Sequence, residues 1–566
     1  MAAAADHSEI APVANPWVVA AAVMLATFME VLDTSVANVS LPHIAGNLSA
    51  SVDEGTWVLT SYLMSNAIVL PLSGWFATLF GRKRFYLGCA VIFTLSSLLC
   101  GLAPSLPWLV VFRVIQGAGG GGLQPISQAI LMDSFPVQKR GIAMGVYGMG
   151  VVFAPTVGPT LGGWITDDFS WRWIFLINVP VGIISVLMTS ILISDPPHLV
   201  RRTFKQGLKI DFVGLGFVSV GLGFLQLVLD KGERDDWFSS PFIIWSSVIA
   251  VVGLIAAVFW EWHVKDPVVD LKLLRDRNFV ISVFMMYILG IVIYGTQVLV
   301  PILLQTLMGY SAMKSGLALL PGGLVLIGML PFVGRLLDRI EPRGIIVTGL
   351  CLAALALVRL SHYSLQASMG TMEWDWVVSR MGTACLFVPI NVMAFYFVPR
   401  DKTSAATGLI NLARNVGGST GISFMATLMT RRAQFHQGVL VGKLQNGSVD
   451  YRAALAHLSH FLLTRGADAA RAAKEAQALV YGEMQRQAMM LSFVDCFHAV
   501  EILCLVVIPL IFVMRMPERR ESRVAPAGRT EGAAAPSGSS QPAAQFSARE
   551  KTGAPKPATG LARLES

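Results

Sequence analysis

The chain is patterned as a series of long apolar runs separated by short polar connections. Fourteen runs are present, centred near residues 28, 67, 93, 120, 154, 183, 219, 251, 292, 326, 354, 387, 417 and 503. Each approaches the ~20 residues that an α-helix needs to cross a bilayer, and none has the alternation of a β-barrel strand. The pattern predicts an all-α membrane protein with 14 transmembrane helices.

The composition agrees with this class. Of the 566 residues, 54% are hydrophobic and only 14% are charged. All six cysteines lie inside predicted spans without CxxC spacing, so they predict neither a disulfide framework nor a zinc site. The first apolar run is long and acidic and has no basic region before it, so we expect an uncleaved anchor that follows a cytoplasmic tail over residues 1–15.

The net charge of +8 follows from where the basic residues lie. Four occupy one set of short connections, Arg172, Lys231, Arg234 and Lys314, and eighteen occupy the alternate set. The positive-inside rule places the richer set, and both termini, in the cytoplasm, so no nucleic-acid partner is needed to explain the charge. The eighteen are Arg82, Lys83, Arg84, Lys139, Arg140, Arg201, Arg202, Lys205, Lys209, Lys265, Lys272, Arg275, Arg277, Arg335, Arg339, Arg343, Arg400 and Lys402.

Two parts of the chain resemble each other. Pro136, Lys139, Ala143, Gly145 and Gly158 recur 263 positions later as Pro399, Lys402, Ala406, Gly408 and Gly421, and Gly74 recurs 260 positions later as Gly334. Parallel repeats are typical of transporters and place the substrate site between the halves. We therefore predict a six-helix bundle over 16–200, two linking helices over 205–265 and a second six-helix bundle over 275–515.

Two segments are predicted to lie outside the membrane. Residues 431–488 carry basic residues among alanines and should form an extracytoplasmic, partly helical excursion, since loops of this size translocate regardless of charge. Residues 517–566 are rich in Pro, Ala, Gly and Ser, which predicts a disordered cytoplasmic tail.

The first apolar run contains two carboxylates, Glu30 and Asp33. An ionisable group at bilayer depth is costly to insert and indicates a functional site. Three residues apart, the two acids project to one side of a helix, with Thr34 and Asn38 close by. The stripe is expected to face a cavity; acids near a helix end that reach the headgroups are the alternative.

Residues Leu32–Pro42, LDTSVANVSLP, resemble the first-helix motif LDxTxxNVALP of the fourteen-span drug:proton antiporters of the EmrB/QacA type, within the major facilitator superfamily. The resemblance covers residues 15 to 515 and implies the major facilitator fold. It also implies that Asp33, aided by Glu30, carries protons. Burial favours the protonated form of a carboxyl group and hydration its ionised form, so an acid that alternates between closed and open cavities can move protons inward while substrate leaves.

Further motifs resemble the superfamily. Arg113, in the stretch Arg113–Gly117, resembles the arginine that assists proton movement; a snorkelling side chain near the outer face is the alternative. Residues 74–84 resemble the loop after the second span, but Thr78 stands where that loop usually has an Asp. The resemblance therefore does not extend to a charge clasp built on that Asp in the first half, and Asp338 and Arg339 leave one open in the second. The residues implied to control conformational change are Gly74, Gly81, Arg82, Gly145, Pro155, Gly158, Pro159, Gly162, Gly163, Asp338 and Arg339; tight packing alone is the alternative for each glycine.

Other polar groups lie within predicted spans. We expect the substrate cavity to be lined by Thr34, Asn38, Gln116, Gln124 and Arg414, and Arg380 is a further embedded charge. Asp495, His498 and Glu501 share a helix face but match no metal motif, so we predict no metal site.

The sequence contains no GxxxxGK[ST] loop, and its long glycine run, residues 119–122, lies inside an apolar span, so we expect a proton gradient rather than ATP as the energy source and no cofactor. The resulting hypothesis is a non-enzymatic, multidrug-type exporter of lipophilic or amphipathic compounds in the bacterial inner membrane, where methionine-rich walls would suit several shapes. The resemblance also implies a periplasmic adaptor and an outer-membrane channel as partners. A dedicated exporter of one metabolite, fatty acid or siderophore is the alternative, and a membrane-bound enzyme or sensor is a more remote one.

Overall fold

The computed structural model describes residues 15–136, 139–193, 211–444 and 448–515, which form helices and no β-strand. Six long helices come first, α1 Pro16–Val39, α2 Trp57–Phe80, α3 Arg82–Gly101, α4 Leu106–Ser134, α5 Arg140–Asp168 and α6 Trp173–Leu192. The short helices Leu41–Asn47 and Val52–Gly55 connect α1 to α2. Residues 1–14 of the predicted N-terminal tail, the whole tail 517–566, and Arg201, Arg202, Lys205 and Lys209 lie outside the described residues.

Two further helices follow, α7 Phe212–Lys231 and α8 Pro241–His263, with the 3-10 turns Trp237–Ser239 and Leu271–Arg275 beside them. The last six are α9 Arg277–Ile302, α10 Ala312–Leu336, α11 Pro342–Ser361, α12 Met369–Ala394, α13 Thr403–Lys443 and α14 Ala469–Phe512. A π-helical turn, Leu303–Leu307, extends α9, the 3-10 turn Arg400–Lys402 precedes α13, and helix Val449–Thr464 lies between α13 and α14.

Local capping signals define several helix starts within this apolar sequence. The Asn15 side chain accepts a hydrogen bond from Trp17 N at 3.0 Å, just before α1. Asp211 and Asp276 likewise accept from Gly214 N and Phe279 N, both at 2.8 Å. These side chains satisfy amide groups that the first helical turn leaves unpaired.

Twelve of these fourteen long helices are long and apolar enough to cross a membrane. Helices α4 and α13 are long enough but less apolar, because they carry glycines and polar side chains, among them Arg113 and Arg414, that are buried against other helices. Lipid-facing helices differ: α8 exposes Trp245, Val252 and Phe259. The polytopic all-α class is confirmed, and the count of fourteen spans stays a prediction.

The excursion between the last two spans is more helical than the sequence predicted. Helices α13 and α14 have 41 and 44 residues, and at ~1.5 Å per residue each far exceeds the ~30 Å apolar thickness of a bilayer. Both helices continue past their apolar parts into the 431–488 segment. Part of this excursion is therefore a direct continuation of α13 and α14.

Two close contacts have the form that the predicted repeat would give. A Cβ on Gly74 of α2 would lie 2.5 Å from Ala405 Cα of α13, and a Cβ on Gly334 of α10 would clash with the Gly141 backbone of α5. Gly74 and Gly334 are repeat mates, as are the α5 and α13 segments they contact. Each contact joins one set of six helices to the other. Both lie at the side of the molecule where α2 and α10 end and α5 and α13 begin.

Candidate functional site

Glu30 lies in α1 with only 2% of its surface exposed. Three neutral side chains donate to its carboxylate: Tyr62 Oη at 3.0 Å and Asn66 Nδ2 at 3.1 Å to Oε1, and Gln124 Nε2 at 2.6 Å to Oε2. A buried carboxylate requires such donors, because it has lost its hydration. No cation among the described residues lies within ion-pair distance of Glu30, so its contacts in this structure are hydrogen bonds to neutral groups.

Gln124 extends this contact into the other set of helices. Its Oε1 accepts a hydrogen bond from Arg414 Nη2 of α13, and Arg414 is 1% exposed. The result is a buried chain from Arg414 through Gln124 to Glu30. Glu30 of α1 and Arg414 of α13 are thus connected through one intervening amide.

Asp33 forms a second cluster that stays within the first six helices. Its Oδ2 lies 2.5 Å from Arg113 Nη1, and its Oδ1 accepts from Gln116 Nε2 at 3.0 Å and from Asn178 Nδ2 at 2.7 Å. Gln116 also accepts from Arg113 Nη1 at 2.8 Å and donates to Ser97 at 2.6 Å. Asp33 is thus the counter-charge of a buried arginine.

Arg113 is fully buried rather than snorkelling, so the alternative raised for it is wrong. Its Nε donates to Val58 O at 3.0 Å, and its guanidinium lies 4.2 Å from the centre of the Tyr62 ring. Tyr62 therefore contacts both clusters, since its hydroxyl donates to Glu30 and its ring faces Arg113. The headgroup-reaching alternative for the two acids is likewise wrong, because both carboxylates are held inside the helix bundle.

The residues predicted to line a cavity take three different positions. Gln116 is a partner of Asp33, while Gln124 and Arg414 form the chain to Glu30. Thr34 is half-buried and donates to Val31 O of its own helix at 2.8 Å, and Asn38 is exposed near the end of α1. The structure thus brings together the two acids, Arg113, Gln116, Gln124 and Arg414, and leaves Thr34 and Asn38 outside both hydrogen-bonded clusters.

The glycine motif of α5 packs against two different helices. A Cβ on Gly158 would clash with Ser35, and one on Gly162 would lie 3.0 Å from Val36, so both allow close approach of α1. Pro155 O accepts a hydrogen bond from Ser35 Oγ at 3.3 Å. Gly145 faces Leu330 of α10 instead. Gly163 faces open space and Pro159 is exposed.

In the first half, Arg82 pairs with an acid other than the one that Thr78 replaces. Thr78 donates to Trp75 O within its own helix. Arg82, 1% exposed, instead pairs with Asp133 at the end of α4, and its Nε donates to Ser404 Oγ of α13 at 2.8 Å. Gly81 precedes it with φ +86°, a left-handed conformation that favours glycine.

In the second half, Asp338 and Arg339 are exposed just after α10. The first half, by contrast, has a buried ion pair at this loop, although Thr78 replaces the usual acid.

A buried polar network between the bundles was missed from the sequence. Tyr147 Oη donates to Asn411 at 2.8 Å, Asn411 Nδ2 donates to Gln128 at 2.7 Å, and Gln128 Nε2 donates to Asn391 at 2.6 Å. Gln128 and Asn391 are 263 positions apart, which is the offset of the predicted repeat. Repeat-matched amides in apolar spans are the signal that could have identified this pair.

Tyr62, Asn66 and Asn178 were also missed as partners of the acids. Tyr62 and Asn66 are four residues apart on one helix face, which is a recognisable polar stripe in an apolar span.

The three ionisable residues of α14, Asp495, His498 and Glu501, form two separate sets of contacts. Asp495 binds Arg432 Nε at 2.5 Å and His436 Nε2 at 2.7 Å, both on α13, whereas His498 Nδ1 lies 2.9 Å from Glu501. These contacts pair the side chains separately, and within the described residues no group of three or more His, Cys, Asp or Glu is arranged to hold a metal ion.

The chain matches known transporters in sequence and fold. The family model described as Major Facilitator Superfamily matches residues 23–422. The multidrug export protein EmrB of Escherichia coli K12 is 35% identical over 497 residues, covering 88% of this chain and 94% of that protein. The fatty acid resistance protein FarB of Neisseria gonorrhoeae is 35% identical over 514 residues, covering 90% of this chain and 98% of that protein.

Among solved structures, the human organic anion transporter MFSD10 superposes with a TM-score of 0.55 at 14% identity, covering 86% of this chain and 99% of that one. At this identity the likeness concerns the fold alone. It supports the arrangement of helices described above and carries no information about substrate.

Proposed function

The chain belongs to the major facilitator superfamily, and from this premise we propose that it is a proton-coupled exporter of lipophilic or amphipathic compounds of several kinds. It is a multi-pass membrane transporter and not an enzyme. Its relatives named for multidrug export support the breadth of cargo. The observation that carries the coupling is the buried chain Arg414–Gln124–Glu30, which connects an ionisable group in one bundle to the other bundle.

The two acids have different parts in this proposal. Among the described residues Glu30 is in no direct ion pair, so a proton on it breaks a hydrogen bond only: Gln124 is released to turn and the link to Arg414 weakens. A proton on Asp33 removes the counter-charge of Arg113, so its cluster must rearrange at the same time. We propose that Glu30 exchanges the proton in the conformation described here, and that Asp33 does so in a conformation in which Arg113 has found another partner.

The conformation itself fits one step of alternating access. The hydrogen bonds between the bundles from Arg82, Gln128 and Tyr147 lie toward the side that the basic loops place in the cytoplasm. We propose that this side is closed, and that the two sets of six helices, with α7 and α8 as linkers, move as the predicted bundles 16–200 and 275–515 during transport.

The test of the main function is transport by purified protein in sealed vesicles with an imposed pH gradient. We expect accumulation of several structurally unrelated amphipathic compounds, each accompanied by proton movement in the opposite direction. Gradient-independent leakage, or transport of none of the panel by well-folded protein, would contradict the proposal.

Topology is tested by labelling. In a variant without reactive native cysteines, a cysteine at Gly442 should react with an impermeant thiol reagent in intact spheroplasts. A cysteine at Glu341 should react only after the membrane is opened, as expected for a cytoplasmic connection. Labelling of Glu341→Cys in sealed cells would reverse the proposed orientation.

We further propose that the 431–488 excursion binds a periplasmic adaptor that connects to an outer-membrane channel. An apolar groove lies between its helices, lined by Leu440, Leu444, Leu458, Leu479 and Met484 among others. An apolar groove on a segment outside the membrane suits a helical partner. Replacement of 431–488 by a Gly/Ser linker should abolish resistance in whole cells and preserve exchange in vesicles; loss of both by an inserted protein would place the excursion in the transport machinery.

A dedicated exporter of one fatty acid remains the second candidate, because a relative with almost full coverage is named for fatty acid resistance. The same vesicle panel separates the two. A single accepted compound class favours the dedicated exporter, whereas several classes favour multidrug export.

A further inference from the structure

Arg380 is a buried cation whose guanidinium has no hydrogen-bond partner among the described residues. It lies in α12, is 1% exposed, and its Nε, Nη1 and Nη2 atoms all lack a partner in the structure as described. Its guanidinium carbon lies 3.8 Å from the centre of the Trp376 ring, and Trp376 Nε1 also lacks an acceptor. Five N–H groups of an arginine and one of an indole are thus buried together without an acceptor.

The nearest acid in the sequence is already occupied. Asp375 accepts from Arg359 Nε and from Tyr363 Oη, which lie near the end of α11 and beyond it. Five residues of helix separate Asp375 from Arg380, which places them on well-separated faces of α12. Within the part of the chain that the structure describes, no acid pairs with Arg380 as Asp33 pairs with Arg113.

Helical spacing places Arg380 on the face of α12 that meets the first bundle. Phe387 and Asn391 follow it by seven and eleven residues and so lie on the same stripe. The ring of Phe387 lies 6.1 Å from that of Tyr147, and Asn391 accepts from Gln128. Arg380 is about 10 Å further along the helix than Phe387, toward the end of α12 predicted to be extracytoplasmic.

The backbone of α10 leaves room for this pair. A Cβ on Gly322 would lie 3.1 Å from Arg380 Cγ and would clash with the Trp376 ring. The glycine thus permits the stacked arginine and tryptophan to lie between α10 and α12.

An isolated guanidinium cannot shed its charge at accessible pH, and an unpaired charge at membrane depth is retained at a stability cost where it has a function. We infer that Arg380, with Trp376, binds the anionic head group of an amphipathic substrate, a carboxylate in particular. A carboxylate matches the planar fork of arginine with two parallel hydrogen bonds, and the apolar tail would lie among the neighbouring aromatic and aliphatic side chains. The inference rests on the proposed export function and specifies one substrate class for it.

Two probes with the same tail and opposite heads test the site, dodecanoate and dodecyltrimethylammonium. Binding of each is measured on the full-length protein in nanodiscs, with binding to empty nanodiscs subtracted. Arg380→Met keeps the length and removes the charge, so it should weaken dodecanoate binding about tenfold or more and leave the cation within about twofold. Arg380→Lys keeps the charge without the fork and should lose less than Arg380→Met.

Thermal unfolding distinguishes a binding role from a structural one. Removal of an unpaired buried charge should leave the unfolding midpoint of Arg380→Met unchanged or higher. A lower midpoint with loss of both probes would mean that Arg380 is structural, and unchanged dodecanoate binding would mean that its charge binds no substrate head; either result overturns the inference. Competition by short-tailed acetate as strong as by dodecanoate would assign the site to a free anion and also overturn it.

Vesicle transport separates this inference from the proposed function. If the wild type exports the cation and neither binds nor exports dodecanoate, only the anion site is wrong. If it exports neither probe nor any other panel compound, the proposed function fails, whatever the outcome of the binding assay.

Discussion

The two predicted six-helix bundles each contain a buried arginine, and the surroundings of the two arginines differ in charge. In the first, Arg113 has an acid, Asp33, at 2.5 Å and two further polar contacts. In the second, Arg380 lies against the face of Trp376, and no acid among the described residues pairs with it. The two sets of helices thus carry different buried charges: Glu30 and Asp33 lie in the first, and Arg380 lies in the second. Under the proposals above, the proton sites and the anion site lie in different halves of the predicted repeat.

The largest expected effect comes from Asp33→Asn. The change keeps the size and most hydrogen bonds of the side chain but deprives Arg113 of its counter-charge and removes one proton site. We expect proton-driven export in vesicles to fall to background. Export at the unmodified rate would remove Asp33 from the proton pathway and leave Glu30 as the sole candidate.

The difference between the two arginines is tested directly by comparing the thermal unfolding midpoints of Arg113→Met and Arg380→Met. Removing one partner of a buried ion pair costs about 3–5 kcal/mol, so Arg113→Met should lower the thermal midpoint markedly, whereas Arg380→Met should not. The double variant Asp33→Asn/Arg113→Met should recover stability relative to Arg113→Met without recovering export. Equal loss of stability in the two single arginine variants would erase the distinction between the bundles.

A smaller effect is expected from Glu30→Gln. The amide retains a hydrogen-bonding side chain, and no ion pair is broken, so the protein should fold with a near-normal thermal midpoint. Export should be weakened. The affinity for substrate should lose most of its dependence on pH, because Arg113 and Asp33 stay paired and the carboxylate that exchanges the proton is gone. The measurement is substrate binding from pH 5.5 to 8.5 on wild type and variant in nanodiscs. A binding curve that keeps the full wild-type pH dependence would assign the proton exchanged in this conformation elsewhere.

The sequence predicted much of this arrangement, because insertion of charges into a membrane is costly enough to make Glu30, Asp33, Arg113 and Arg414 conspicuous. It also predicted the class of fold, since apolar runs of bilayer length are a strong signal. Which of these charged residues pair with each other could not be predicted from the sequence. Nothing in the spacing of Asp33 and Arg113, eighty residues apart, specifies their contact, and Asp133 replaces the expected partner of Arg82 from a different helix.

The unpaired state of Arg380 is equally a property of three-dimensional packing. Asp375 lies only five residues away in the sequence and would have been the obvious partner, but helix geometry directs it to Arg359 and Tyr363. Neutral amides such as Gln128 and Asn391 were overlooked because they cost less to bury than charges and so stand out less.

The smallest expected effect concerns how firmly the bundles are held together. Tyr147→Phe removes the hydroxyl that donates to Asn411 across the interface. A buried hydrogen bond is worth about 1 kcal/mol net, which should shift the equilibrium between closed and open cytoplasmic sides about fivefold. The shift can be read as a change in the distance distribution between spin labels at Arg84→Cys and Glu341→Cys, which are exposed in opposite bundles. The matched control is Tyr86→Phe. The Tyr86 hydroxyl, which this change removes, donates to Val23 O at 2.9 Å within the first set of helices. Both variants lose one buried hydrogen bond, so both should lose similar stability, but only Tyr147→Phe should lengthen the distances. If the two variants change the distribution equally, the bundles are held by packing of small residues such as Gly141 and Gly334, and the polar network has no part in setting the conformation.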